Sequence, residues 1–326
     1  MDPALESLAT AGYYILRHSS NRRESSDYRT VLNKEWARRN KPIANLVVHT
    51  GVGPDGVVYA NFDEGFLPLY HDDTLRMSEP CEDANVRQWR FETEADCENW
   101  FHAEVSNIVM AAWTAYPTVM QLSQSKPPTA GPIPETADIV YSTKIGNTKH
   151  ILAVGEIKKS VIDRGAWQSG QLPVGGEQQR LSQELRQYAR RYQCPQVFCF
   201  DGETLLVLQF RVATLDAIDE ANCRVDCWVI PVRNSTTTLR YALYRLLTQG
   251  WRRCQGVMAE EITVDGITSA YREFYNGRPI WRVDGANTAL HPHGYERSVD
   301  ASTGAFKWRL SPYPDIFETL PLWHSQ

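Results

Sequence analysis

Residues 135–140 read ETADIV, and residues 155–159 read GEIKK. The first stretch leaves a loop and enters an apolar strand at Asp138. The second closes an apolar run that starts at Ile151. Side chains two apart on a strand point to one face, so Glu156 and Lys158 share a face. Gly146-Asn147 is a turn signal between strands expected at residues 137–142 and 150–157. Such a hairpin carries Asp138 back toward Glu156 and Lys158. On an exposed strand a Glu-x-Lys pair is a surface ion pair worth little. Here the pair closes a run that reads as buried, which points to a site.

Working outward, residues 124–135, QSKPPTAGPIPE, read as a Pro-rich surface linker. Before it, residues 93–116 place Cys97, Phe101, Val105, Ile108, Ala112 and Trp113 at helical spacing. Thr93 is placed to cap the amide of Asp96, acidic residues fill the first turn, and Pro117 ends the helix. After the hairpin, residues 176–192 read as a helix with Leu181, Leu185, Tyr188 and Tyr192 on one side. Residues 196–200 and 204–210 are apolar strands joined by an Asp201-Gly202 turn. A strand is expected at 224–232, an amphipathic helix at 236–253, and a hairpin at 270–282 turning on Asn276-Gly277. The order helix, strand, strand, helix, strand, strand implies an α/β fold, a mixed sheet flanked by helices. The expected division is an N-terminal extension (1–92), a core (93–232), and a C-terminal helix and β-rich extension packing on the core (233–326). Roughly ninety residues at the start and roughly forty-five at the end show no pattern that assigns elements.

Composition narrows the classes of function. Of 326 residues, 42% are hydrophobic and 22% charged, with 10 Trp and 15 Tyr, which suits a folded core and not a disordered chain. The net charge of −5 excludes a generic polyanion binder. Locally, residues 17–41 carry eight Lys/Arg against three Asp/Glu, whereas residues 55–98 carry three against twelve. The basic segment is able to meet phosphates, or serves as a solvated helical face. No apolar run approaches the ~20 residues that span a bilayer. Residues 1–20 do not read as a secretory leader. The seven cysteines are scattered and odd in number. Reduced thiols and an intracellular protein, nuclear or cytoplasmic and without a membrane partner, are therefore expected.

Two carboxylates on one sheet face make a hard-oxygen site suited to Mg²⁺. The ion would polarise a phosphoryl oxygen and acidify a water. Lys158 would orient that water, help deprotonate it, or stabilise charge building at phosphorus. Asp138 followed by Glu156-Ile157-Lys158 resembles the PD-(D/E)xK nuclease superfamily, over about residues 93–210. The resemblance implies a restriction-endonuclease-like fold with N- and C-terminal elaborations. It implies that Asp138 and Glu156 hold Mg²⁺ (or Mn²⁺) and that Lys158 assists the attacking water. Superfamily members often add a glutamate from the first helix, for which Glu98 is preferred over Glu104. An acid just before a Trp, as in CENWF, also resembles fungal nuclease-like proteins of this superfamily. A Gln on the second helix is matched best by Gln178, on the stripe of Leu181 and Leu185, ahead of Gln179 and Gln183. One departure is Ala137 in the place of the motif proline, with Pro134 upstream.

Around these residues, Lys159 and Arg180 are candidates for substrate phosphates, with Arg164, Arg186, Arg190 and Arg191 as further basic positions. Residues 170–176, GQLPVGG, lack a phosphate-loop pattern and are expected as a loop beside the site. Cys223 and Cys227 read as packed thiols, and His291-Pro-His293 lacks ligand spacing. The expected function is Mg²⁺-dependent hydrolysis of DNA or RNA phosphodiesters. The alternative is a catalytically silent nuclease-like module that binds a protein partner.

Overall fold

Val197 and Cys199 pack into one apolar core and Phe198 and Phe200 into another, so a single strand feeds two cores by its period of two. In the computed structural model, which describes residues 22–24, 26–78, 88–113, 119–123, 136–145 and 148–321, this strand lies mid-sheet. The strands are β1 Asn45–Val48, β2 Val119–Ser123, β3 Ile139–Ile145, β4 Thr148–Ile157, β5 Gln196–Phe200, β6 Thr204–Phe210 and β7 Arg224–Pro231. They form a seven-stranded sheet in the order β1-β7-β6-β5-β4-β3-β2. The pairs β1/β7 and β4/β5 are parallel and the others antiparallel.

Both faces are covered, which is why the strands read as continuous apolar runs and do not alternate. The helices are α1 His71–Met77, α2 Glu94–Phe101, α3 Asn107–Ala111, α4 Arg164–Gln168, α5 Glu177–Arg191 and α6 Leu239–Val257. Leu181, Leu185 and Tyr188 of α5 cover one face. Trp100 and Phe101 of α2, Val109 of α3, and Leu243, Leu247 and Trp251 of α6 cover the other. The molecule is thus a mixed α/β structure with a large mixed sheet flanked by helices, as the element order implies.

Local signals hold where they were strongest. The Thr93 N–H donates to Asp96 Oδ2 (2.8 Å) in a reciprocal capping box that starts α2. A π-helical stretch, His102–Ser106, joins α2 to α3. The expected helix end at residues 114–118, the linker 124–135 and the turn Gly146-Asn147 lie outside the described residues. So do residues 1–21, 25, 79–87 and 322–326.

The helix expected at 236–253 differs in extent and setting. It begins at Leu239, where Thr238 Oγ1 accepts from the Tyr241 N–H (3.0 Å), and runs on to Val257. Residues 239–256 are all buried, so its polar side does not face water. Arg245 pairs with Asp63 (2.9 Å), Arg252 with Asp72, and Arg253 with the Ile151 carbonyl. Beyond α6, Tyr271–Arg272 pairs with Pro279–Val283 across the Asn276-Gly277 turn, where Gly277 takes φ 66°. Trp281, Tyr295 and Trp308 form a small core there with Ile262 and Val264. Among the described residues no helix is long and apolar enough to cross a membrane.

Candidate active site

The β3–β4 register places Ile139 opposite Gly155, and hence Asp138 opposite Glu156. Asp138 Oδ2 accepts from the Ile157 N–H (2.8 Å). The chain entering β3 is anchored by two tyrosines, one in α5 and one at its C-terminal end. Tyr192 Oη accepts from the Ala137 N–H (3.0 Å), and Tyr188 Oη donates to the Thr136 carbonyl (3.3 Å). A proline at position 137 would have no N–H to give Tyr192. Past the end of β4, the Lys158 N–H donates to the Phe200 carbonyl (2.9 Å), so the backbone stays in register with β5. Glu156 and Lys158 therefore do share a face, and their side chains bond each other.

Asp138, Glu156 and Lys158 line a cavity of about 440 Å³ together with Tyr28, Thr30, Lys34, Glu94 and Glu184. Glu156 is 1% exposed. Its Oε1 accepts from Lys158 and from Lys34 (2.6 Å), while Oε2 is buried without a hydrogen-bond partner. Glu184 Oε1 lies 2.6 Å from Lys34 Nζ and 3.2 Å from Lys158 Nζ.

Burial alone would raise the Glu156 pKa, but the ammonium groups of Lys158 and Lys34 outweigh it and hold the group down at about 2. Glu184 goes the other way, raised by burial and by the Glu156 carboxylate beside it. Asp138 is pushed up to about 7, by burial first and Glu156 second. Burial works against the charge of Lys158, yet Glu156 and Glu184 raise its pKa well above the ordinary lysine value. The two carboxylates thus favour the ammonium form of Lys158, which donates to Glu156.

Glu98 meets His102 Nε2 one turn on (3.3 Å), and the α2 carboxylate lining the cavity is Glu94, one turn earlier. Glu104 sits in the π-helical stretch against Arg240 (3.6 Å), facing α6. Gln178 spends its amide on the loop after β4: Oε1 accepts from the Asp163 N–H (3.1 Å) and Trp167 Nε1 (2.7 Å), and Nε2 donates to the Val161 carbonyl (2.8 Å). Lys159 Nζ donates to the carbonyls of Ser26 (3.0 Å) and Tyr28 (2.9 Å), holding an N-terminal segment over the cavity. Arg180 is exposed and lines a small recess with Arg38, Lys34 and Glu184. Arg186 is buried against the Glu220 carbonyl, and Arg190 pairs with Asp216 and Asp219. Residues 170–176 lead into α5 and do not line the cavity.

Sequence reasoning missed Lys34, Glu94 and Glu184. Glu184 carried a signal: it falls within the apolar side of α5, three residues after Leu181 and four before Tyr188. Lys34 carried none beyond membership of the basic segment.

The chain matches no family model, no curated protein and no solved structure. The donor set itself must therefore be weighed against a metal. Among the described residues no three His, Cys, Asp or Glu groups converge as a ready metal cage. Two facing carboxylates, one with an orphaned buried oxygen, do fit an ion such as Mg²⁺, which takes one or two carboxylates and keeps its waters.

Proposed function

We propose that this chain is a metal-dependent phosphodiesterase acting on DNA or RNA, with a restriction-endonuclease-like core of the PD-(D/E)xK kind. The observation that carries the reading is Asp138 facing Glu156 across β3 and β4, with Lys158 on the same face of one cavity. Asp138 and Glu156 Oε2 would hold Mg²⁺ or Mn²⁺, which supplies Lewis-acid polarisation of a phosphoryl oxygen. Lys158, held protonated by Glu156 and Glu184, stabilises charge that develops on the phosphoryl oxygens. Tyr188 and Tyr192 keep the chain before Asp138 in place, and Gln178 orders the loop that follows β4. The exposed Arg38 and Arg180 beside the cavity suit flanking phosphates of an intracellular nucleic acid.

A catalytically silent module for a protein partner is the second reading. It is favoured by Lys34 and Lys158, which satisfy one oxygen each of Glu156 and Glu184 without any metal. Incubation of the chain with end-labelled DNA and RNA in Mn²⁺ or Mg²⁺ separates the two. Cleavage that is lost in Glu156→Gln and Lys158→Met supports the enzyme. Cleavage that persists in both variants, or no cleavage together with no salt-dependent nucleic-acid binding, overturns it.

A further inference from the structure

Residues 26–34 cross the mouth of the cavity as a strap. The Thr30 N–H donates to the Lys159 carbonyl (3.0 Å), and Thr30 Oγ1 accepts from the Lys159 N–H (2.9 Å) and bonds Glu94. The Ser26 hydroxyl donates to the Glu92 carbonyl (3.1 Å), and Arg29 pairs with Glu177 at the start of α5 (2.6 Å). The strap ends on Lys34, whose ammonium lies 2.6 Å from Glu156 Oε1, 2.6 Å from Glu184 Oε1 and 2.7 Å from Tyr188 Oη. Three oxygens from β4 and α5 thus converge on one cation supplied by a distant part of the chain.

We propose that Lys34 is an intramolecular occupant of the carboxylate site, and that the strap 26–34 must release it before a divalent cation can load. The inference rests on the metal-dependent reading above. Two further observations support it. Glu156 Oε2 is buried and unpartnered, so the Lys34-bound arrangement leaves the carboxylate half satisfied. Lys34 also bonds the same Glu156 carboxylate that would hold a divalent ion, so the two cations would compete for it, and burial of Glu156 weakens screening between them. The strap is suited to release. The Arg29–Glu177 pair is about half exposed on each side and therefore weak, and Lys34 is 31% exposed whereas Lys158 is 5% exposed.

The test uses MnCl₂ titrated by calorimetry into the full chain, as wild type, Lys34→Gln, and Lys34→Gln combined with Glu156→Gln, each first checked for a cooperative urea transition. Competition predicts Mn²⁺ binding roughly tenfold or more tighter in Lys34→Gln than in wild type, and its loss in the double variant. Equal or weaker binding in Lys34→Gln, with wild type still binding, overturns the strap and leaves the metal site standing. Binding in none of them overturns both. A readout on the unaltered chain guards against misfolding of the variants. Saturating Mn²⁺ is expected to speed hydrogen exchange at the amides of Thr30 and Lys159, and unchanged protection there counts against release.

Discussion

At the scale of single residues, two carboxylates a strand apart are driven in opposite directions. Asp138 is held at about 7 against an ordinary 3.8, so between those pH values the folded chain keeps a proton that the unfolded chain has lost. Its contribution to stability accordingly falls as pH rises from about 4 to about 7, and is least above that. Glu156, held at about 2, stabilises above its ordinary 4.5 and loses that contribution as pH falls toward 2. Asp138→Asn keeps an oxygen for the Ile157 N–H but removes the titration. Relative to wild type, it is expected to gain on the order of 2 kcal/mol on going from pH 5 to pH 8. Urea unfolding of both chains at the two pH values measures this, and a constant difference between them would mean that Asp138 is not perturbed. Ala137 belongs to the same scale. Its N–H fastens the approach to Asp138 onto Tyr192.

At the scale of elements, helix meets strand and strand meets strand at points where no side chain fits. A Cβ on Gly250 of α6 would lie 2.1 Å from the Leu152 carbonyl oxygen of β4, and one on Gly155 would enter the ring of Phe198 at 2.0 Å. Helix propensity favours Gly250→Ala by about 1 kcal/mol. The collision is with backbone, which cannot rotate away, and overpacking of this kind costs about 1–3 kcal/mol. The collision wins: Gly250→Ala is expected to lower the urea midpoint, and a raised midpoint would show that α6 does not lie against β4 this closely. The helix placements at 93 and 176 were legible because capping and apolar spacing are local. The fully buried state of α6 was not, because an amphipathic pattern implies one side in water. Partners distant in the chain, among them Asp63, Asp72, Glu104 and the Ile151 carbonyl, bring that side into the interior.

At the scale of the whole molecule, the region after α6 covers that helix. Arg252 and Gln255 of α6 reach the Gly304 carbonyl (3.4 and 2.6 Å). Glu318 collects Arg272, Arg297 and the Trp308 indole, tying the end of the chain to the small C-terminal core. A chain ending at residue 258 would leave Arg252 and Gln255 without these contacts and uncover the end of α6. Such a chain is expected to bind ANS and lose its near-ultraviolet dichroism and cooperative unfolding. A sharp transition with native near-ultraviolet dichroism would show that the region is dispensable. The segment before Thr93 is equally part of the structure, since β1 forms an edge of the central sheet and Lys34 enters the cavity.

Sequence alone determined what depends on neighbours in the chain. It placed the capped helix at Thr93, the apolar strands on either side of Asp201-Gly202, the common face of Glu156 and Lys158, and the approach of Asp138 through a hairpin. Each follows from a period of two or 3.6 residues, or from a turn that acts over a few positions. Tertiary structure decided which charges share the cavity. It brought Glu184 of α5 and Glu156 of β4 onto the ammonium of Lys34, which lies 122 positions before Glu156, and it turned Gln178, Lys159 and Glu98 to bonds within the fold. No local rule carries that information. A buried charge is stable only beside a partner, and the partner is set by how distant segments pack, not by how far apart they lie in the chain.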